Sequence, residues 1–252
     1  MADVRTIIVG DIHGCLDELQ RLVHLCDVRV DDRVVILGDM IDRGPDPIGV
    51  VHFVRDHRWE AVLGNHEEKA VRWRRREVEQ DKTGRANPMR PPGSTRREQW
   101  NALTDEDIRW MSRLPFTLDL GNGWIAVHAG FEDVPMNVQR SDKLLRTRYL
   151  DSFGEFLSLG KIDPPPNSRL WAEVWRGPQS VVYGHHVHSF GDPRVDVKPN
   201  GVRCVGLDTG CVYGGRLSAM ILEADGTISF RSVKASKEYH QSKFNAHTSV
   251  AE

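Results

Sequence analysis

Short apolar runs alternate with helically spaced ones at the start of the chain. Val4–Val9 is a β-rich run, and behind it Leu16, Leu19, Leu22, Val23 and Cys26 mark one face of a helix over Leu16–Cys26. Val34–Leu37 predicts a second strand. Ile48–Val54 predicts a helix behind the turn signal RGPDP, and Ala61–Leu63 a third strand. Repeated strand–helix units of this kind predict a parallel sheet.

The pattern then changes. Residues 72–97 read RWRRREVEQDKTGRANPMRPPGSTRR, with nine basic residues against three acidic ones and a Pro/Gly cluster in the second half. This predicts a helix running into a surface loop. Ala102–Leu114 has helical spacing behind the cap-like Thr104-Asp105-Glu106, and Thr117–Leu120 and Trp124–Val127 read as strands across the hairpin signal Gly121-Asn122-Gly123. Ser180–Tyr183, Val202–Leu207, Leu217–Leu222 and Thr227–Val233 also read as strands, the last two joined by Ala224-Asp225-Gly226, so the C-terminal third is mainly β. The organisation expected is one α/β domain over residues 1–235, a basic helix–loop insertion at 72–100, and a polar tail at 236–252 that frays.

Composition refines this only slightly. A chain of 252 residues, 39% hydrophobic and 28% charged, can bury one sizeable core. Its net charge of −2 gives no general attraction to nucleic acid or an anionic membrane, so no DNA or membrane partner is expected. Cys15, Cys26, Cys204 and Cys211 form no CxxC pair and read as reduced thiols. No leader-like N-terminus or long apolar span is present, which predicts a cytoplasmic protein.

The chemistry lies at the strand ends. The first three strands run into Gly10-Asp11-Ile12-His13-Gly14, Gly38-Asp39-Met40-Ile41-Asp42-Arg43-Gly44 and Gly64-Asn65-His66-Glu67, and two later ones into His128-Ala129-Gly130 and Gly184-His185-His186-Val187-His188. Ligand sites of open α/β sheets gather at the C-terminal ends of strands, so these loops can converge. Carboxylates, an amide and imidazoles together suit hard and borderline divalent cations, and so many donors suit two of them. A carboxylate between two cations can bridge them, a centre suited to hydrolysing phosphoesters. The glycine before each ligand is expected where the backbone needs φ > 0 or must approach an ion closely.

In this order GDIHG, GDMIDRG, GNHE, HAG and GHH resemble the signature of the phosphoprotein phosphatase family of metallophosphoesterases, over Val4 to about Val233. The resemblance implies a calcineurin-like α/β fold, a central β-sandwich flanked by helices. It implies that Asp11, His13 and Asp39 hold one metal and Asp39, Asn65, His128 and His185 the other, with Asp39 the bridge. Two divalent ions are expected, Mn²⁺ first, with Fe²⁺, Zn²⁺, Co²⁺ or Ni²⁺ as alternatives. His66 is implied as general acid, oriented by Asp42, while Arg43 would bind phosphoryl oxygens through its planar fork. A second phosphate-binding arginine matches Arg176 best and Arg169 next, and Tyr213 resembles a substrate-contacting tyrosine. Glu67 is expected to support the ligands from behind and Glu68 to open a helix. His186 and His188 are candidates for a similar supporting place, and His24, His52 and His57 receive no role.

The expected substrate is a dinucleoside polyphosphate such as diadenosine tetraphosphate, cleaved to ADP, with a phosphoprotein as the alternative. Arg72, Arg74, Arg75 and Arg76 could rim the cleft for a polyphosphate; the plainer alternative is a solvated charge run on a helix that Trp73, Val71 and Val78 pack down. A non-catalytic RNA- or protein-binding module is the third reading, and the full ligand set with His66 and Arg43 weighs against it.

Overall fold

The computed structural model describes residues 4–158 and 164–241. Two five-stranded sheets pack face to face. In the first, β1 (Thr6–Val9), β2 (Arg33–Ile36) and β3 (Glu60–Ala61) run parallel, β11 (Arg216–Leu222) pairs antiparallel with β1, and β12 (Ile228–Lys234) closes the edge. The second repeats the plan: β5 (Trp124–Val127), β8 (Ser180–Tyr183) and β10 (Arg203–Gly206) are parallel, between antiparallel β4 (Thr117–Gly121) and β9 (Arg194–Val197). A short pair, β6 (Tyr149–Leu150) and β7 (Arg169–Leu170), stands apart.

Burial on both faces explains why the parallel strands read as unbroken apolar runs. Ile8, Val35, Ala126, Val182, Val205 and Met220 fill the space between the sheets. Their neighbours Ile7, Val9, Val34 and Ile36 face outward, against α1 (Leu16–Leu25) and α2 (Pro47–Asp56) through Leu19, Leu22, Val50 and Val54. On the far side, Val127, Val181 and Tyr183 pack on Phe131, Trp171 and Trp175. The arrangement is the expected sandwich flanked by helices.

Three local expectations are corrected. The basic stretch forms α3 (Asn65–Thr83), ended by Gly84 at φ +70°, but its second half is not all loop: α4 (Ser94–Ala102) follows the Pro/Gly cluster. The single helix expected over Ala102–Leu114 is interrupted, because Leu103 is extended and Thr104 exchanges hydrogen bonds with Asp107 to start α5 (Asp105–Met111). Trp73 and Trp100 anchor α3 and α4 in the core, so residues 72–100 are packed onto the domain rather than standing away from it. The packing of Trp73 is legible beside Val71 and Val78, whereas Trp100 belongs to no apolar period. Finally, the tail does not fray at once. The Ser236 amide and Tyr239 hydroxyl donate to Glu18 at 2.8 and 3.0 Å, and the Tyr239 and His240 amides both donate to the Val212 carbonyl. The rest of the expected tail, 242–252, lies outside the described residues. β9, β6 and β7 were not expected; β9 is half-exposed and takes its register from β10.

Among the described residues no helix is long and apolar enough to cross a membrane. All four cysteines are free and buried, as expected of reduced thiols.

The inter-sheet layer sets stability. Val182→Ala is expected to lower the unfolding free energy by about 2–3 kcal/mol in urea titration, whereas Val30→Ala, at a fully exposed position, stays within about 0.5 kcal/mol.

Candidate metal centre and active site

The C-terminal ends of the parallel strands of both sheets meet along one edge. Asp11 and His13 follow β1, Asp39 to Arg43 follow β2, and Asn65 and His66 open α3 just beyond β3. From the second sheet come His128 after β5, His185 after β8 and Asp208 after β10. The turns that carry them are tight. Among the described residues eight non-glycine positions have positive φ, and five of them are His13, Asp39, Asp42, Arg43 and His185. Left-handed backbone costs about 1–2 kcal/mol per residue, and such strain collects where position matters more than comfort. The glycines serve mainly close approach rather than positive φ: a Cβ on Gly184 would lie 2.0 Å from Asp11 Oδ1, and one on Gly64 would lie 2.2 Å from the Asp39 amide.

Donor atoms converge in two groups sharing Asp39: His13, Asp39 and His66, and Asp39, His128 and His185. The tautomers are set from behind. His128 Nδ1 donates to the Leu37 carbonyl at 2.7 Å and His13 Nδ1 to the Ile41 carbonyl at 2.9 Å, which leaves each Nε2 a lone pair. His128 Nε2 then faces Asn65 Oδ1 at 3.0 Å and Asp39 Oδ1 at 3.4 Å, three acceptors with no proton between them. His13 Nε2 faces Asp39 Oδ2 at 3.5 Å. Acceptors turned toward one another inside a protein are repulsive unless a cation joins them, so this donor set fits divalent metal. Asp11 stands at the side, its carboxylate accepting the His185 amide at 3.0 Å.

Protonation follows burial. Desolvation lowers His13, His128 and His185, with Arg43 or Arg148 nearby adding to it, so these imidazoles stay neutral and able to ligate. Burial opposes charge on Asp39, but a proton in this cluster is better held by one of the imidazoles of His128, His66, His13 or His185, whose positive charge then keeps the carboxyl well below its usual range. Asp11 goes the other way: burial, Asp208 and Asp39 hold it well above. Behind the turn, Glu67 accepts the amides of Asp39, Met40 and Ile41 at 2.9, 2.8 and 3.1 Å, and burial beside Asp39 pushes it up to about 8. It has the supporting place expected of it. Glu68 opens α3 and pairs with Arg72 and Arg146.

His66 and Asp42 form a pair, Nδ1 to Oδ2 at 2.5 Å. Two partners that the sequence did not suggest complete it: Trp100 Nε1 donates to Asp42 Oδ1 and Arg96 Nε to Oδ2, both at 2.8 Å. Both lie on α4, inside the stretch read as an insertion. Arg43 reaches His13 Nε2 and, at 3.0 Å, His66 Nε2, with Tyr213 beneath its guanidinium at 5.5 Å.

A cleft of about 450 Å³ opens over these groups, lined by Asp39, Asn65 and His185, by Tyr213, and by the arginines Arg43, Arg96 and Arg148. Arg176 and Arg169 are not brought there; they line a separate groove with Glu173, Lys198 and Asn200. Arg148, which donates to the His185 carbonyl at 3.1 Å, stands in the cleft instead. No local motif marked it. Arg72, Arg74, Arg75 and Arg76 do not line the cleft either: Arg74 bonds Asp105 and the carbonyls of Trp100 and Leu103, and Arg76 pairs with Glu79. The rim expected of them is made by Arg96 and Arg148. His186 borders the cleft and His188 bonds Tyr183 Oη at 3.1 Å; neither joins the two donor groups.

Similarity to known proteins agrees with this geometry. The calcineurin-like phosphoesterase family profile matches residues 4–225. A bis(5'-nucleosyl)-tetraphosphatase PrpE of the asymmetrical type from Oceanobacillus iheyensis is 31% identical over 84% of this chain and 86% of its own length. The symmetrical bis(5'-nucleosyl)-tetraphosphatase of Erwinia tasmaniensis is 28% identical over 85% and 93%. A crystal structure provisionally assigned as a diadenosine tetraphosphatase superposes with a TM-score of 0.73 at 27% identity, covering 93% of this chain and 95% of the other. The chain belongs to the calcineurin-like phosphoesterase family. It is therefore a hydrolase of the metallophosphoesterase class, and membership implies divalent metal ions.

Because the imidazoles are already neutral while burial favours the protonated Asp11, a metal held through Asp11 would release a proton from carboxyl rather than imidazole. Mn²⁺ affinity is expected to rise with pH above the ordinary carboxylate range, as Asp11 gives up its proton. Calorimetry in two buffers of different ionisation heat checks this; identical apparent enthalpies would contradict it.

Proposed function

We propose that this protein hydrolyses dinucleoside polyphosphates at a two-metal centre. The observation that carries the reading is the grouping of Arg43, Arg96 and Arg148 in one cleft with the Asp39-centred donors. A chain of several phosphates presents more negative charge than a single phosphoserine and rewards several guanidinium forks at once. The tetraphosphatase names of the relatives support the same substrate class.

Asp11, His13 and Asp39 would hold one ion, and Asp39, Asn65, His128 and His185 the other. Mn²⁺ is the ion proposed, since mixed oxygen and imidazole donors without thiolate suit it. When bound, the two cations supply Lewis acidity and make water a stronger nucleophile at neutral pH. The chain's own groups do the rest. Arg43 and Arg148 orient the phosphoryl group, Tyr213 backs Arg43, and His66 Nε2 gives its proton to the departing oxygen. Asp42 stabilises the imidazolium that this requires, and Arg96 and Trp100 keep the Asp42 carboxylate in place. The buried free thiols fit a reducing, cytoplasmic setting.

A four-phosphate chain can be cut symmetrically to ADP or asymmetrically to ATP and AMP, and the relatives' names include both. Chromatography of the products from diadenosine tetraphosphate with Mn²⁺ distinguishes them. Turnover is expected to vanish with EDTA and to exceed phosphate release from a phosphopeptide; the reverse ratio would make the protein a phosphoprotein phosphatase. His66→Asn should keep both metals and lower kcat by about 10²–10⁴. Arg148→Ala should raise KM for the tetraphosphate, and Arg176→Ala should leave it unchanged.

A further inference from the structure

Outside the Asp39 cleft a second group of metal-ligating atoms is buried in the core. Cys15 Sγ, Cys211 Sγ and a Glu18 carboxylate oxygen all lie within 4.8 Å of one another. Cys15 and Glu18 are fully buried and Cys211 is 1% exposed. The two oxygens of Glu18 are treated very differently. Oε1 accepts from the Ser236 amide, the Tyr239 hydroxyl and Arg21 Nη2, at 2.8, 3.0 and 3.2 Å. Oε2 has no hydrogen-bond partner among the described residues. A buried carboxylate oxygen left bare costs free energy, and here it sits beside two sulfurs, the pairing that thiophilic cations favour.

We propose that Cys15, Cys211 and Glu18 form a closed site for a thiophilic divalent cation such as Zn²⁺, distinct from the phosphate-hydrolysing centre. Tetrahedral Zn²⁺ with bonds of about 2.0–2.3 Å holds its ligands roughly 3.5–3.8 Å apart, so the three atoms need draw together by only about an ångström. The charges also balance. Two thiolates and one carboxylate against a dication leave one negative charge, and Arg21, already on Glu18 Oε1, neutralises it. The His13 carbonyl, which accepts from Cys15 Sγ at 3.7 Å, adds an oxygen beside the sulfur.

The position gives the site a structural task. Cys15 follows His13 in the turn after β1, and Cys211 lies between Asp208 and Tyr213 in the loop after β10. A cation there joins two loops that carry cleft residues, one from each sheet, while Glu18 also holds the returning Ser236–Gln241 segment. Its ligands are thiolate-rich where those of the cleft are oxygen and imidazole, so spectroscopy separates the two.

Cobalt is the probe. The full-length chain, stripped of metal, is titrated with Co²⁺ and followed in the near ultraviolet, where only thiolate ligation gives an intense charge-transfer band. The expected result is a band that saturates at one Co²⁺ per chain, persists in Asp39→Asn, and is lost in Cys211→Ser and in Cys15→Ser. Glu18→Gln should weaken the affinity behind it by at least about 10-fold. Folded wild-type protein that takes up cobalt without the band overturns the proposal, a reading that depends on no variant. A band that survives Cys211→Ser overturns it as well.

Discussion

The constraint on which the structure depends is the set of acceptors turned inward around Asp39. His128 Nε2, Asn65 Oδ1 and the Asp39 carboxylate face one another with no proton to share, because the Leu37 carbonyl has already taken the imidazole's only hydrogen. Such an arrangement is unfavourable by itself in a buried place. It persists because the Leu37 and Ile41 carbonyls, just after β2, fix the rings, and because Glu67 ties three successive amides of the Asp39 turn. The fold holds the site against its own repulsion, and a cation relieves it.

That cost is spread over the edge of the sandwich. His13, Asp39, Asp42, Arg43 and His185 all adopt left-handed backbone, in turns that follow rigid parallel strands. The strands can bear the strain because both of their faces are buried, one against the other sheet and one against helices. Stability generated in the core is thus spent at its rim, a division common where function demands geometry that local preference opposes.

The segment of residues 72–100 shows how a surface reading can mislead. Its charge run suggested a solvated face or a polyphosphate rim, and Arg72, Arg74 and Arg76 in fact pair with neighbouring acids and carbonyls. Its contribution to the site comes from further along, through Arg96 and Trp100 on Asp42. A helix that begins with Asn65 and His66 and one that ends near Trp100 therefore converge on the same dyad from opposite ends of the segment.

The sequence by itself determined the strand–helix alternation, the order of the strand-end motifs and the chemical kinds of the donors. These depend on local matters, on apolar runs long enough to be buried and on side chains carried at fixed offsets from them. It also determined that Asp39 would be central, since the aspartate of the second strand end resembles a bridge in a known family. Only the tertiary structure decided which arginines enter the cleft. Arg176 matched a family position and Arg148 carried no mark, yet Arg176 borders the groove near Lys198 while Arg148 is drawn to the His185 carbonyl. The return of Ser236–Gln241 and the meeting of Cys15, Glu18 and Cys211 were hidden for the same reason: each is a contact between segments far apart in the chain, and no period or spacing records it.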